Sequence, residues 1–219
     1  MSLFQSIVLG IIQGASEFLP ISSSGHLVLA PYLFGWDLDP AEAFIFDVLV
    51  QVATLMAVIV FYWSDLVAII KSVIRGLSLR KPFQDQDARL GWFLVLATIP
   101  AGISALLFKD TFEAAFSSPK FAAIFLLCTS FLLILGELFG KRDKSLPSIR
   151  WYDALIIGLF QVFALFPGIS RSGATISGGL LRNFDRKSSA RFSANPFMYL
   201  LFTAQWWEHS FLPASSFSQ

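Results

Sequence analysis

Before Lys71 the chain contains neither lysine nor arginine, although the 219 residues include 16 of them. That gap excludes the basic n-region of a cleavable signal peptide, so the apolar start at Leu3 to Ile12 is expected to be mature protein. Cysteine occurs once, at Cys128 inside an apolar run, which excludes an intramolecular disulfide and leaves the role of a small buried hydrophobe. Charged residues make up 14% of the chain and the net charge is +1, so no overall field favours nucleic acid or an acidic partner. What is there instead is apolar: 55% hydrophobic residues and a mean hydropathy of +0.67, outside the balance of a soluble domain. Phenylalanine is abundant, 24 against 4 tyrosines, and Trp36, Trp63, Trp92 and Trp151 lie at the ends of apolar runs, where interfacial anchoring places them. A single all-α integral membrane domain over residues 1–219 is expected.

Three stretches are long enough for a hydrocarbon core that takes about 20 apolar residues: Ala41 to Tyr62, Leu90 to Phe108 and Phe121 to Phe139. A fourth, Phe192 to Phe211, is a poorer span, interrupted by Asn195, Pro196, Gln205, Glu208 and His209. Two further apolar stretches are cut near their middles, residues 3–34 through Leu19 to Gly25 and residues 152–181 through Pro167 to Gly173. Neither half of either stretch spans alone. Irregular backbone at membrane depth survives only where protein or a water-filled cavity satisfies it, so each stretch predicts a re-entrant helix-loop-helix hairpin.

The flanking charges agree with that reading, because lysine and arginine favour the cytoplasmic side. The first hairpin is followed by Asp37, Asp39 and Glu42 and has no basic neighbour, as for entry from outside. The second is bracketed by Lys141, Arg142, Lys144 and Arg150 before it and Arg182, Arg186, Lys187 and Arg191 after it. The loop carrying Lys71, Arg75, Arg80 and Lys81 then falls inside, and the loop with Lys109, Asp110, Glu113 and Lys120 outside. A shift of 148 positions superposes Gly10, Gln13, Phe18, Ile21, Ser22, Ser24 and Gly25 on Gly158, Gln161, Phe166, Ile169, Ser170, Ser172 and Gly173. With an odd number of crossings between them, the hairpins are expected to be inverted copies that meet near the midplane, where a site belongs.

Gln13 and Glu17, four apart, share a helix face pointing toward Ser22, Ser23, Ser24 and His26. A carboxylate within a membrane segment costs several kcal/mol unless paired or hydrated, so Glu17 reads as functional, the alternative being a glutamate that snorkels to the interface. His26 beside three hydroxyls and a carboxylate is a candidate acid, base or nucleophile, or a structural histidine. In the second hairpin Ser170, Arg171, Ser172 and Thr175 surround glycines, so hydroxyls, backbone N–H groups and a guanidinium converge on one anion. Phosphate fits, because arginine makes bidentate bonds to phosphoryl oxygens and the following helix N-terminus adds donors. Arg171 as a structural cation paired with Glu17 is the alternative. The combination resembles a phosphoryl-transfer site in which Glu17 holds a divalent cation against the phosphate and Ser23, His26 or an activated water attacks.

The run Q-G-A-S-E-F-L-P-I-S-S-S-G-H-L at Gln13 to Leu27 and P-G-I-S-R-S-G-A-T at Pro167 to Thr175 resemble the two signature motifs of the bacterial undecaprenyl-diphosphatases of the bacitracin-resistance type. F-D-V-L-V-Q at Phe46 to Gln51 and T-I-P-A-G at Thr98 to Gly102 add weaker support, and the resemblance extends to about Ser193. It implies hydrolysis of the C55 isoprenyl diphosphate to its monophosphate in the bacterial inner membrane, recycling of the cell-wall lipid carrier, and bacitracin resistance. It further implies Gln13 and Glu17 as the metal pair for Mg²⁺ or Ca²⁺, Ser23 and His26 as nucleophile and acid/base positions, and Ser170, Arg171 and Thr175 as the phosphate loop. Ser22, Ser24 and Ser172 join as phosphate contacts, and Asp47 with Gln51 as a polar patch behind the site. A homodimer is compatible with this reading. The family motif has Glu or Gln at the position of Gln13; glutamine lowers the charge of the metal site but keeps a ligand oxygen.

After Ala190 to Ser193 the chain departs from the family, turning to N-P-F-M-Y and ending in W-W-E-H-S-F-L-P-A-S-S-F-S-Q. The expected consequence is an altered or truncated C-terminus that lacks at least one span. Two other functions remain compatible with the residues: a carrier or flippase for a phosphorylated isoprenyl lipid, which needs the Arg171 cradle but no acid, base or metal ligand, and an inactive remnant of the enzyme.

Overall fold

The computed structural model describes residues 1–108, 111–112, 118–196 and 198–199. Among them are nine helices: α1 (Leu3–Ser16), α2 (Ser23–Phe34), α3 (Pro40–Phe61), α4 (Trp63–Ser78), α5 (Gln86–Leu107), α6 (Pro119–Phe139), α7 (Trp151–Phe163), α8 (Arg171–Leu181) and α9 (Arg186–Ser193). The described residues contain no strand, only an isolated bridge between Lys144 and Phe184. The all-α architecture is the one expected. Lys109, Asp110 and Glu113, and most of the fourth apolar stretch with Gln205, Glu208 and His209, lie outside the described residues.

The three expected spans are α3, α5 and α6, of 22, 22 and 21 residues, each long and apolar enough to cross a membrane. At 1.5 Å per residue they reach about 30 Å, the thickness of a hydrocarbon core. The stretch with Lys71 and Arg75, read from sequence as loop, is instead the 16-residue helix α4. Its apolar face packs on α5, with Leu66 and Ile69 buried and the side chains of Ile69 and Val73 against Gly91. Arg75 sits in its last turn, where a cation suits the helix dipole.

Both interrupted stretches are helix, break, helix. The helices have 14 and 12 residues in the first pair and 13 and 11 in the second, none long enough to span. Shifting residues 3–16 and 23–34 by 148 gives 151–164 and 171–182, against observed helices at 151–163 and 171–181. The internal repeat is therefore a repeat of structure, element for element. Each second helix begins two residues before the glycine of its motif, because Ser22 and Ser170 act as N-caps, their side chains accepting from the Gly25 and Gly173 amides.

The breaks are held together by small residues. On α6 the buried positions Ala122, Thr129 and Gly136 recur every seven residues and form one seam. A methyl group at Gly168 would lie 2.3 Å from the Ala122 carbonyl oxygen, one at Gly173 2.6 Å from the Thr129 methyl, and one at Gly136 3.2 Å from the Ser177 Cα. Such a seam lets backbones approach closely where there is no water to drive association. Gly168 also has a φ of +95°, a conformation open to glycine at little cost. On α5, Ala97 abuts Gly158 of α7, where a methyl group would meet the Ala97 carbonyl oxygen at 2.3 Å.

Buried Asp153 ties the base of the second pair: Arg182 Nε donates to it at 2.8 Å, Lys144 Nζ at 3.5 Å and the Arg150 backbone N–H at 3.1 Å. Two cations and an amide surround one carboxylate, so the charge is compensated where burial would otherwise be costly.

The two breaks also meet reciprocally. A methyl group at Gly25 would lie 2.9 Å from the Gly168 Cα, and one at Gly173 would lie 3.4 Å from the Pro20 carbonyl oxygen. Since the shift of 148 takes Pro20 to Gly168 and Gly25 to Gly173, each contact is the repeat image of the other, as a pseudo-two-fold axis requires. Gly25→Ala and Gly173→Ala are each expected to destabilise by about 1–3 kcal/mol through overpacking. The double variant should lose less than the sum, because a Cβ at Gly25 presses on Leu126 and one at Gly173 on Thr129, both on α6, so one outward shift of that helix relieves part of each clash. Thermal unfolding in detergent checks this, and strictly additive losses would show that the contacts are independent.

Candidate active site

The first helix of each pair stops short of the break for the same local reason, a Pro-Gly-Ser segment that cannot continue it. In the first pair Glu17 is the C-cap of α1, still in the right-handed helical region, so its side chain projects where α1 ends and α2 begins. Ser22 caps α2 with a φ of +67°. A non-glycine residue there stores about 1–3 kcal/mol of strain and is retained only when its surroundings hold it. Here the Ser22 hydroxyl accepts from the Gly25 amide at 3.2 Å, and its carbonyl oxygen lies 2.6 Å from His26 Nδ1.

Glu17 is the hub. Its Oε2 accepts from the Ser23 hydroxyl at 2.6 Å and from the Gln13 amide nitrogen at 2.8 Å. Its Oε1 faces Arg171 Nη2 at 3.5 Å, with the two side chains 12% and 8% exposed. The carboxylate is thus compensated by a guanidinium from the other repeat. Arg171 is the first residue of α8, and its Nη1 donates to the Ser193 carbonyl oxygen at 2.8 Å. The Tyr199 ring lies under the guanidinium, 4.6 Å from centroid to Cζ. Thr175 donates to the Ser193 hydroxyl at 2.7 Å and so ties α8 to the end of α9.

Between these groups is a cavity of roughly 50 Å³, lined by Glu17, Ser22, Ser23, Ser24, Gln51, Ala164, Ile169, Ser170, Arg171, Ser172 and Tyr199. That is room for several water molecules. Hydroxyl pairs face it from both repeats, Ser22 with Ser24 at 3.3 Å and Ser170 with Ser172 at 3.0 Å, and the pairs are images of each other under the shift of 148.

Of the residues expected at a site, seven therefore share one cavity: Glu17, Ser22, Ser23, Ser24, Ser170, Arg171 and Ser172. Gln13 lies behind Glu17, and Thr175 lies behind Arg171 through Ser193. His26 does not line the cavity. Its Nδ1 faces a carbonyl oxygen, which only accepts, so Nδ1 carries a hydrogen and donates it there. Asp47 is outside the lining, whereas Gln51, one turn further along α3, is part of it. Reasoning from sequence missed Tyr199 and Ser193. Both follow the last motif in a stretch with no periodic pattern, and no residue spacing pointed to Arg171 as their partner.

A divalent cation can be tested against the donors present. No cluster of three or more His, Cys, Asp or Glu occurs among the described residues, so no metal cage is built from protein alone. Gln13 Oε1 is buried and has no hydrogen-bond partner among the described residues, next to the carboxylate its own nitrogen bonds. One carboxylate, one orphaned amide oxygen and nearby hydroxyls fit a hard cation that completes its shell with phosphate oxygens and water.

The family model described as bacitracin resistance protein BacA matches residues 6–216. A curated protein of Chlorobaculum parvum, named undecaprenyl-diphosphatase, is 44% identical over 200 residues, covering 88% of this chain and 70% of that protein. The protein of the same name from Prosthecochloris aestuarii is 46% identical, with the same coverage.

Proposed function

We propose, from the premise that this chain belongs to the bacitracin resistance protein BacA family, that it hydrolyses undecaprenyl diphosphate to undecaprenyl phosphate and inorganic phosphate. The observation that carries the reading is the Ser23 hydroxyl bonded at 2.6 Å to a largely buried carboxylate that faces Arg171 at the edge of a small cavity. A hydroxyl nucleophile, a base within reach and a cation for developing phosphoryl charge are the parts phosphoryl transfer needs.

The terminal phosphate of the lipid lies among the Ser170, Ser172 and Arg171 donors. Ser23 Oγ attacks its phosphorus while the Ser23 proton moves to Glu17 Oε2. The bridging P–O bond breaks and its electron pair leaves with undecaprenyl phosphate. The Glu17 proton passes to the leaving phosphate oxygen; water then attacks the phosphoserine phosphorus, one of its protons reaching Ser23 Oγ through Glu17 as the Ser23 O–P bond breaks, and the remaining hydroxyl departs in inorganic phosphate. Arg171 neutralises charge on the phosphoryl oxygens throughout. Gln13 holds the carboxylate in orientation through its amide nitrogen. A divalent cation, Mg²⁺ or Ca²⁺, bound by Glu17 and Gln13 Oε1 supplies additional neutralisation of phosphate charge.

The protein is a multi-pass membrane protein of an isoprenyl-lipid enzyme family, and we place it in the bacterial inner membrane. Both helix pairs enter and leave by one membrane face, the first from outside and the second from the cytoplasm, in keeping with the basic residues clustered around α7 to α9. Recycling of the lipid carrier for cell-wall synthesis and bacitracin resistance follow from that activity. A carrier built on the same inverted pairs remains the competing use, and the Ser23–Glu17 pair favours hydrolysis, since transport needs no base.

Detergent-purified protein is expected to release phosphate from a C15 or C55 isoprenyl diphosphate with Mg²⁺ or Ca²⁺ and to stop in EDTA. Arg171→Ala should lower turnover by about 10²–10³-fold. Release unaffected by that substitution would remove Arg171 from the chemistry, and no release from folded protein would sink the hydrolase reading. A second check does not depend on turnover. Mn²⁺ should bind in the presence of inorganic pyrophosphate with at least tenfold lower affinity in Glu17→Ala, read by paramagnetic resonance of free Mn²⁺. Equal affinities would exclude Glu17 as a ligand.

A further inference from the structure

We infer that Thr129, in the apolar helix α6, is a positioning residue for the phosphate-binding turn, an assignment that rests on the hydrolase reading above. A threonine inside a helix commonly turns its hydroxyl back to the carbonyl four residues earlier. Thr129 does so toward Phe125 at 3.2 Å, but its oxygen is also aimed across the helix interface. It accepts from the Ser170 backbone N–H at 3.0 Å and reaches the Gly168 carbonyl oxygen at 3.1 Å, which takes its hydrogen in alternation with Phe125. One hydroxyl therefore serves the two backbone groups on either side of Ile169, at the point where the second repeat has no helix of its own to satisfy them.

The position of Ser170 sets the geometry of the start of α8. Its side chain caps that helix through the Gly173 amide at 3.0 Å, pairs with Ser172 at 3.0 Å, and the next residue is Arg171. A displacement of the Ser170 backbone thus moves two hydroxyls and the guanidinium that face the cavity. The methyl arm of Thr129 acts separately, by packing against Gly173, close enough that a Cβ there would be 2.6 Å away. Thr129 is 2% exposed, so no water is available to take over from the hydroxyl. Its neighbour Ser130, whose hydroxyl bonds the Leu126 carbonyl oxygen at 3.2 Å on the exposed side of the same helix, is the natural control.

The two arms separate by substitution. Thr129→Val keeps the shape and removes the hydroxyl; Thr129→Ser keeps the hydroxyl and removes the methyl. With detergent-purified full chain, a C15 isoprenyl diphosphate and Mg²⁺, Thr129→Val is expected to lower kcat at least tenfold with KM changed less than threefold. Thr129→Ser and Ser130→Ala should stay within threefold of the unsubstituted protein in both. Wild-type kcat in Thr129→Val, or equal losses in the Val and Ser variants at unchanged unfolding temperature, would overturn the assignment. If Thr129→Val does not fold, a tenfold loss in folded Thr129→Ser overturns it, and retained activity there supports it. If the unsubstituted protein releases no phosphate, the hydrolase reading fails by itself. Calorimetric binding of inorganic pyrophosphate then decides for Thr129, weakened at least fivefold by Val and not by Ser if the assignment holds.

Discussion

Everything in this fold depends on satisfying backbone N–H and C=O groups where two helices are interrupted among apolar residues. Water cannot reach the bilayer core, so each break needs substitutes from side chains or from neighbouring backbone. The protein supplies them in matched form. Ser22 and Ser170 cap the second helix of each pair, and in the second repeat Thr129 adds a hydroxyl from outside the pair. The small residues Ala122, Thr129 and Gly136 on α6 are what allow that approach, and Gly168 and Gly25 allow the breaks to touch each other. Close packing at the breaks leaves one small polar cavity between them, and that cavity is where the charged residues gather.

Burial of Glu17 and Arg171 together follows from the same constraint. An isolated carboxylate at this depth is costly, whereas Glu17 is bonded by Ser23 and Gln13 and faced by a guanidinium. The pair is not tight: 3.5 Å separates the closest atoms, and Arg171 also bonds the Ser193 carbonyl and stacks on Tyr199. A guanidinium held by several partners of moderate strength keeps its position as a phosphate enters, which a bidentate lock on Glu17 would oppose.

Much of this was legible in the residues. The three spans announced themselves by length and hydropathy, the two breaks by Pro, Gly and Ser inside apolar runs, and their kinship by the shift of 148 that the helix boundaries reproduce to within a residue. Glu17 with Ser23 and the serines around Arg171 were visible as polar groups where polar groups are costly. What did not show was anything carried by tertiary contact alone. Thr129 sits in an ordinary apolar helix, Tyr199 in a stretch without pattern, and α4 in a segment whose cations suggested loop although its apolar residues follow a helical period against α5. His26, adjacent to the serines in sequence, turns its Nδ1 to the Ser22 carbonyl because the first turn of α2 places it on that side.

The repeats share a backbone but divide the chemistry. Under the shift of 148, Glu17 corresponds to Leu165, Ser23 to Arg171 and His26 to Ala174, while Gln13 corresponds to Gln161 and the capping serines to each other. Ile21, Ser22, Ser24 and Gly25 of the first break are retained as Ile169, Ser170, Ser172 and Gly173, although Pro20 is replaced by Gly168, and the residues that could react differ. One copy presents a carboxylate and a hydroxyl, the other a cation, and where the first has Gln13 bonded to a carboxylate, Gln161 is buried with neither amide atom hydrogen-bonded among the described residues. A symmetric pair could place like charges face to face across the axis, two carboxylates or two guanidinium groups, and like charges buried together repel. Glu17 and Arg171, one from each copy, attract instead, so the asymmetry of the site adds to the close packing that brings the two breaks together.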